Sequence, residues 1–190
     1  MNRSLFTILF IALIETLQSQ SYDLLLKNGR IIDSKNKIDK IADLAIKENK
    51  IALIKENIST IDSKKTIDVK GMIVCAGLID MHTHVFVGNQ TVSFANGINS
   101  ISPDDFTLRA GITTVVDAGT SGYKNFAQFK SQVIDKSKTR ILAFLNIAGD
   151  GMTGNMQQED INEMNVDSAL SCANIYKDQI VGIKIGHVES

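Results

Sequence analysis

The chain has 190 residues, with 20 Lys plus Arg against 21 Asp plus Glu and a formal net charge of −1, a balance that gives no electrostatic reason for a nucleic-acid or anionic-membrane partner. Hydrophobic residues make up 44% and charged residues 22%, with one proline, which excludes wholesale disorder and a proline-rich linker. Two cysteines are too few for a disulfide scaffold or a four-cysteine zinc site, and the length suits one domain or a large piece of one.

Residues 1–21 read as a signal peptide. Met1-Asn2-Arg3 is a short basic start, and residues 5–14 (LFTILFIALI) form an apolar run broken only by Thr7 and too short to span a bilayer. Ser19-Gln20-Ser21 then offers small residues for cleavage before Tyr22. A buried N-terminal helix is the competing reading, and Glu15 argues mildly for it. Removal of the segment predicts an exported protein, periplasmic or secreted, with no remaining membrane attachment. Cys75 and Cys172 would then sit in a disulfide-permissive space, but on a strand entry and a distant helix they are expected as two free, buried thiols.

Residues 22–70 read as a small antiparallel β unit. Residues 23–27 and 30–33 flank Asn28-Gly29, a two-residue hairpin signal, and residues 43–47 and 51–55 flank Glu48-Asn49-Lys50, a second one. Residues 66–69 alternate again before Gly71.

From residue 71 to 190 the period changes to strand, loop, helix, strand. Residues 72–81 are almost continuously apolar, as expected of a strand buried on both faces. Ser102-Pro103-Asp104-Asp105 predicts a helix start with Ser102 as N-cap and Asp105 closing a capping-box-like pair, and Gly111 predicts its end. Residues 113–117 (TTVVD) predict a second strand, and residues 124–136 a helix with Phe126, Phe129, Val133 and Ile134 on one face. Residues 141–147 predict a third strand, residues 167–178 a helix with Ala169, Cys172, Ala173 and Tyr176 inward, and residues 180–185 a fourth strand. Alternating strands and helices imply an α/β fold with a parallel sheet, and four strands amount to half of an eight-stranded barrel.

The sharpest motif is Asp80-Met81-His82-Thr83-His84. Alternate residues of a strand share a face, so His82 and His84 are expected to point together into the barrel at its C-terminal end, where two imidazoles can hold a Zn²⁺-like cation. A bland pair of satisfied core histidines is the competing reading. Asp80 shares that face one step deeper, placed to orient an imidazole or meet substrate. Lys184 lies on the last strand with Gly182 and Gly186 on the same face. Spacing leaves two readings of it level. In one it is neutralised inside the barrel, for example as the carbamate formed with carbon dioxide, which can bridge two metal ions; in the other it reaches from the barrel mouth to water. His187 has the opposite parity and reads as a loop residue near the site more readily than as a ligand. The glycine-rich stretches 118–122 (AGTSG) and 148–154 (AGDGMTG) match no phosphate-binding fingerprint and read as mobile loops on the active face, while Asp117 and Asn146 at strand ends default to structural hydrogen bonding.

The motif GLIDMHTH (77–84), following a β unit that begins YDLLLKNGRIID, resembles the amidohydrolase superfamily, and RAGITTVVDAGTSG (109–122), KTRILAFLNIAGDGM (138–152) and IVGIKIGH (180–187) resemble its deacetylase and dihydroorotase-like metallohydrolases. The resemblance implies the first half of a TIM-like (β/α)8 barrel preceded by a β-sandwich part. It implies one or two divalent metals, usually zinc, with His82 and His84 as first-strand ligands and Lys184 as a carboxylated bridging lysine. The implied reaction is hydrolysis of a C–N or ester bond in a small acylated or cyclic amide substrate, by metal-activated water. Ala76 stands where the family usually has proline. The family's further histidine ligands and its general-base aspartate are expected beyond Ser190, so the chain is expected to be an N-terminal fragment, inactive alone. A non-catalytic half-barrel that binds a metal or a partner, pairing its open edges as a homo-oligomer, is the alternative.

Overall fold

A computed structural model describes residues 20–86, 100–153 and 160–186, so the apolar start over residues 1–19, residue 154 and His187 lie outside the described residues. The chain divides into two compact units, Met1–Ala76 and Gly77–Ser190.

The first unit is one five-stranded sheet. Strands β1 (Leu24–Asp33), β2 (Ile38–Lys47) and β3 (Lys50–Lys55) form an antiparallel meander. Strands β4 (Thr66–Asp68) and β5 (Ile73–Cys75) then pair with β1 in parallel, one after the other along its free edge. Glu48 and Asn49 make the tight β2–β3 turn, both with positive φ, as the second hairpin signal requires. The first signal is used differently. Asn28-Gly29 is no turn; β1 runs through it with a bulge against β2, and the chain reverses instead at residues 34–37, where Asp33 accepts bonds from Asn36. The cause is Asp43. Its buried carboxylate accepts from the Asn28 backbone N–H at 2.9 Å, the Ile58 N–H at 2.9 Å and the Lys27 Nζ at 2.6 Å, which pins the bulge from inside the unit. Gly29 is needed there, since a Cβ would stand 2.8 Å from Val74 Cγ2.

The apolar run 72–81 is two strands, not one. β5 belongs to the first sheet, and β6 (Leu78–Thr83) opens the second. It is not buried on both faces either: β6 is an edge strand, with Leu78 57%, Ile79 62% and Met81 63% exposed. Cys75, expected buried, is a free exposed thiol on β5, whereas Cys172 is free and buried.

In the second unit β6, β7 (Ile112–Gly122), β8 (Arg140–Asn146) and β9 (Ile180–Lys184) lie in sequence order, every neighbouring pair parallel, as half of a barrel requires. Helix α1 (Pro103–Phe106) is a single turn followed by a 3-10 turn at Leu108–Ala110, ended by Gly111 at φ 75°. Ser102 stands at its N-cap without a capping bond, and no capping box forms. The first-turn acid Asp104 instead accepts the Lys138 and Thr139 N–H groups of the β8 approach. Helix α2 (Phe126–Phe129) widens into a π-turn over Lys130–Ile134, and α3 (Val166–Ile175) begins at an Asn165 side-chain cap. The core lies between sheet and helices: Phe126 and Phe129 meet edge to face, Phe86 packs on Phe129, and Tyr176 on Phe126, around Val115, Leu145 and Ile180.

Candidate metal site at the C-terminal end of the parallel sheet

The chain leaves β6 through a set of bonds to β7. Thr83 donates its hydroxyl to the Val116 carbonyl, and the Val85 N–H donates to Asp117 Oδ2 at 2.9 Å. His82 and His84 project from alternate positions, His84 between these anchors and His82 just before them, and the structure brings their rings together: the centroids are 5.6 Å apart and the planes nearly perpendicular at 83°. His82 is exposed and His84 half-buried. Burial first, then the neighbouring His82 and Lys184, pulls the His84 imidazole below its ordinary value, so the ring is neutral at neutral pH.

His84 Nδ1 lies 2.9 Å from Thr120 Oγ1, which leaves Nε2 as the ring nitrogen without this partner. Asp80 does not reach an imidazole; its carboxylate accepts the His82 backbone N–H at 3.0 Å and stiffens the end of β6. Lys184 sits on the same pole. Its stem is half-buried against Gly119, where an added Cβ would stand 2.5 Å from Lys184 Cγ, and Gly119 holds φ +82°. Among the described residues it forms no ion pair. His187 falls outside the described residues.

Residues 118–122 are not a mobile loop. They continue β7 to Gly122, and residues 114–122 are all buried. Asn146 Nδ2 donates to the Gly119 carbonyl, and Asn146 Oδ1 accepts the Ala148 N–H, which ties the ends of β7 and β8. Asp117 is fully buried and accepts the Thr120 N–H on Oδ1 at 2.7 Å. Its burial pushes the carboxyl up to about 6 against the pull of these N–H donors. Thr120 is the site residue that spacing did not reveal. The available signal was the acid at the end of TTVVD, which needs donors from the turn that follows it.

The donor set suits a nitrogen-preferring divalent cation: two converging imidazoles, one of them neutral and with Nε2 left over. The described residues provide those two donors and no cluster of three or more His, Cys, Asp or Glu groups.

A scan against protein-family models gave no match. The chain is 32% identical over 151 residues to a deacetylase of Brucella anthropi, a match covering 77% of this chain and 36% of that protein. It is 34% identical over 126 residues to a dihydroorotase of Clostridioides difficile, covering 66% of this chain and 29% of that one. A crystal structure of an adenine deaminase superposes with a TM-score of 0.71 at 32% identity, over 85% of this chain and 40% of that one. The chain thus spans between a quarter and a half of the length of these proteins.

Proposed function

The chain belongs to the amidohydrolase superfamily, its second unit matching the N-terminal part of that family's TIM-like barrel, and on this premise we propose that it supplies the first half of a metal site for hydrolysing amide, cyclic amide or ester bonds. The convergence of His82 and His84 at the C-terminal end of the sheet carries the reading. A zinc-like cation held by the two imidazoles would supply Lewis acidity toward a substrate carbonyl and toward water. The chain's own residues do the positioning. Asp80 stiffens the end of β6 through the His82 N–H, and burial keeps His84 neutral and free to ligate. Lys184, on the same pole and without a carboxylate partner among the described residues, is proposed to be carboxylated: its neutral amine adds to carbon dioxide, the N–C bond forms, and the released proton passes to solvent.

The substrate is proposed to be a small acylated or cyclic amide, and the apolar start over residues 1–21 supports export. Because the relatives are about two to three times longer than the matched span, turnover is proposed for a polypeptide that continues through strands five to eight, with residues 22–190 binding the cation without turnover. The test incubates zinc-loaded protein with N-acetyl amino acids, dihydroorotate and acetyl esters. Hydrolysis by the longer polypeptide that a chelator stops, and none from residues 22–190, is the expected result. Hydrolysis that survives both the chelator and His82→Ala contradicts it.

A further inference from the structure

Among the described residues one side chain bonds the His84 ring, and that side chain is held in turn. Thr120 is 4% exposed, its backbone N–H is fixed on Asp117 Oδ1 at 2.7 Å, and its Oγ1 lies 2.9 Å from His84 Nδ1. The other oxygen of Asp117 takes the Val85 N–H, one residue beyond His84 in the chain. One buried carboxylate therefore fixes both the backbone after His84 and the residue that touches its ring. A hydroxyl has one proton and two lone pairs, so Thr120 Oγ1 can accept the N–H of an imidazole. A neutral His84 ring that ligates through Nε2 carries its hydrogen on Nδ1, where Thr120 Oγ1 stands, and its Nε2 lone pair points away from Thr120.

We propose that Thr120, locked by Asp117, is the positioning residue that sets the His84 tautomer and presents Nε2 to the cation. A ligating histidine commonly donates its second ring N–H to a carboxylate or carbonyl. Here a hydroxyl takes that place, on a residue whose backbone N–H the carboxylate holds. The inference rests on the metal-site reading given above.

The experiment pairs a spectroscopic readout with affinity in the 190-residue chain. In metal-free protein, ¹⁵N NMR of the His84 ring should show a single tautomer protonated on Nδ1, a measurement that needs no substitution. Zinc is titrated against a chromophoric chelator for the unsubstituted chain, Thr120→Val, Thr120→Ser and His84→Ala. Thr120→Val keeps the shape and removes the hydroxyl; it should weaken zinc binding about 10–100-fold and mix the two tautomers, while Thr120→Ser stays within about threefold of the unsubstituted chain. His84→Ala weakened with Thr120→Val unchanged overturns the role of Thr120 and leaves the metal site standing. His84→Ala unchanged overturns the metal site itself, and an Nε2-protonated ring in the unsubstituted chain overturns the tautomer assignment.

Discussion

Asp117 gives the clearest titration expected of a single residue. In the unfolded chain its carboxyl titrates near 3.8, whereas burial raises it to about 6 in the folded unit, where the largest influence is desolvation and the N–H donors of Val85, Thr120 and Gly119 oppose it. A raised carboxyl favours the folded state while it is protonated. Its contribution is complete below pH 3.8 and is lost as the pH rises through about 6, a change of ~3 kcal/mol if no other group compensates. An NMR titration of the Asp117 carboxyl carbon should show a midpoint near pH 6, and a midpoint below 4 would remove the argument. Gly119 makes a second case. At φ +82° and with Lys184 Cγ in the space a Cβ would take, Gly119→Ala should cost about 1–2 kcal/mol from backbone strain alone and push the lysine stem aside. Equilibrium urea unfolding checks the cost; an unchanged midpoint would mean that the backbone and Lys184 relax freely.

At the scale of elements, the bulge in β1 depends on one carboxylate. Asp43→Asn removes the charge that faces Lys27 and replaces one of the two acceptor oxygens with a donor, which leaves one of the two backbone N–H groups facing an NH2, so the first unit should lose about 3–5 kcal/mol. Burial alone would raise the Asp43 carboxyl, but the bonds from Lys27, Asn28 and Ile58 hold it below its ordinary value, so this stabilisation should be present above about pH 4 and fade as the acid is protonated. A urea midpoint for Asp43→Asn equal to that of the unsubstituted chain would show the bulge to be held by something else. The same bulge marks a limit of legibility. Asn28-Gly29 has the local chemistry of a turn, and only a residue 15 positions away decides otherwise. The apolar run 72–81 misled for a related reason: apolarity shows that a strand exists, not which sheet it joins or that it lies at an edge. The period-2 logic that places His82 beside His84 is local and held, as did the periodic face of Phe126, Phe129 and Val133. Thr120 stayed hidden because its role is written by Asp117 and His84 together, across two strands.

For the whole molecule, both edges of the parallel sheet expose apolar side chains. Leu78, Ile79 and Met81 lie open on β6, and Val181, Ile183 and Ile185 on or just after β9. Beside β9 a groove of about 310 Å³ is lined by Ile147, Val166, Leu170, Ala173, Ile180 and Ile183. Unpaired strand edges of this kind invite association. The double substitution Ile79→Lys with Ile183→Lys should therefore shift sedimentation of the 190-residue chain toward monomer, and an unshifted distribution would show that neither edge associates. The functional account depends on the two imidazoles at the C-terminal end of β6. Equilibrium dialysis against zinc, comparing the unsubstituted chain with the double substitution His82→Ala and His84→Ala, addresses it most directly. The account expects zinc bound by the first at concentrations where the second, equally folded by circular dichroism, binds at least 100-fold more weakly; equal binding by both would contradict it.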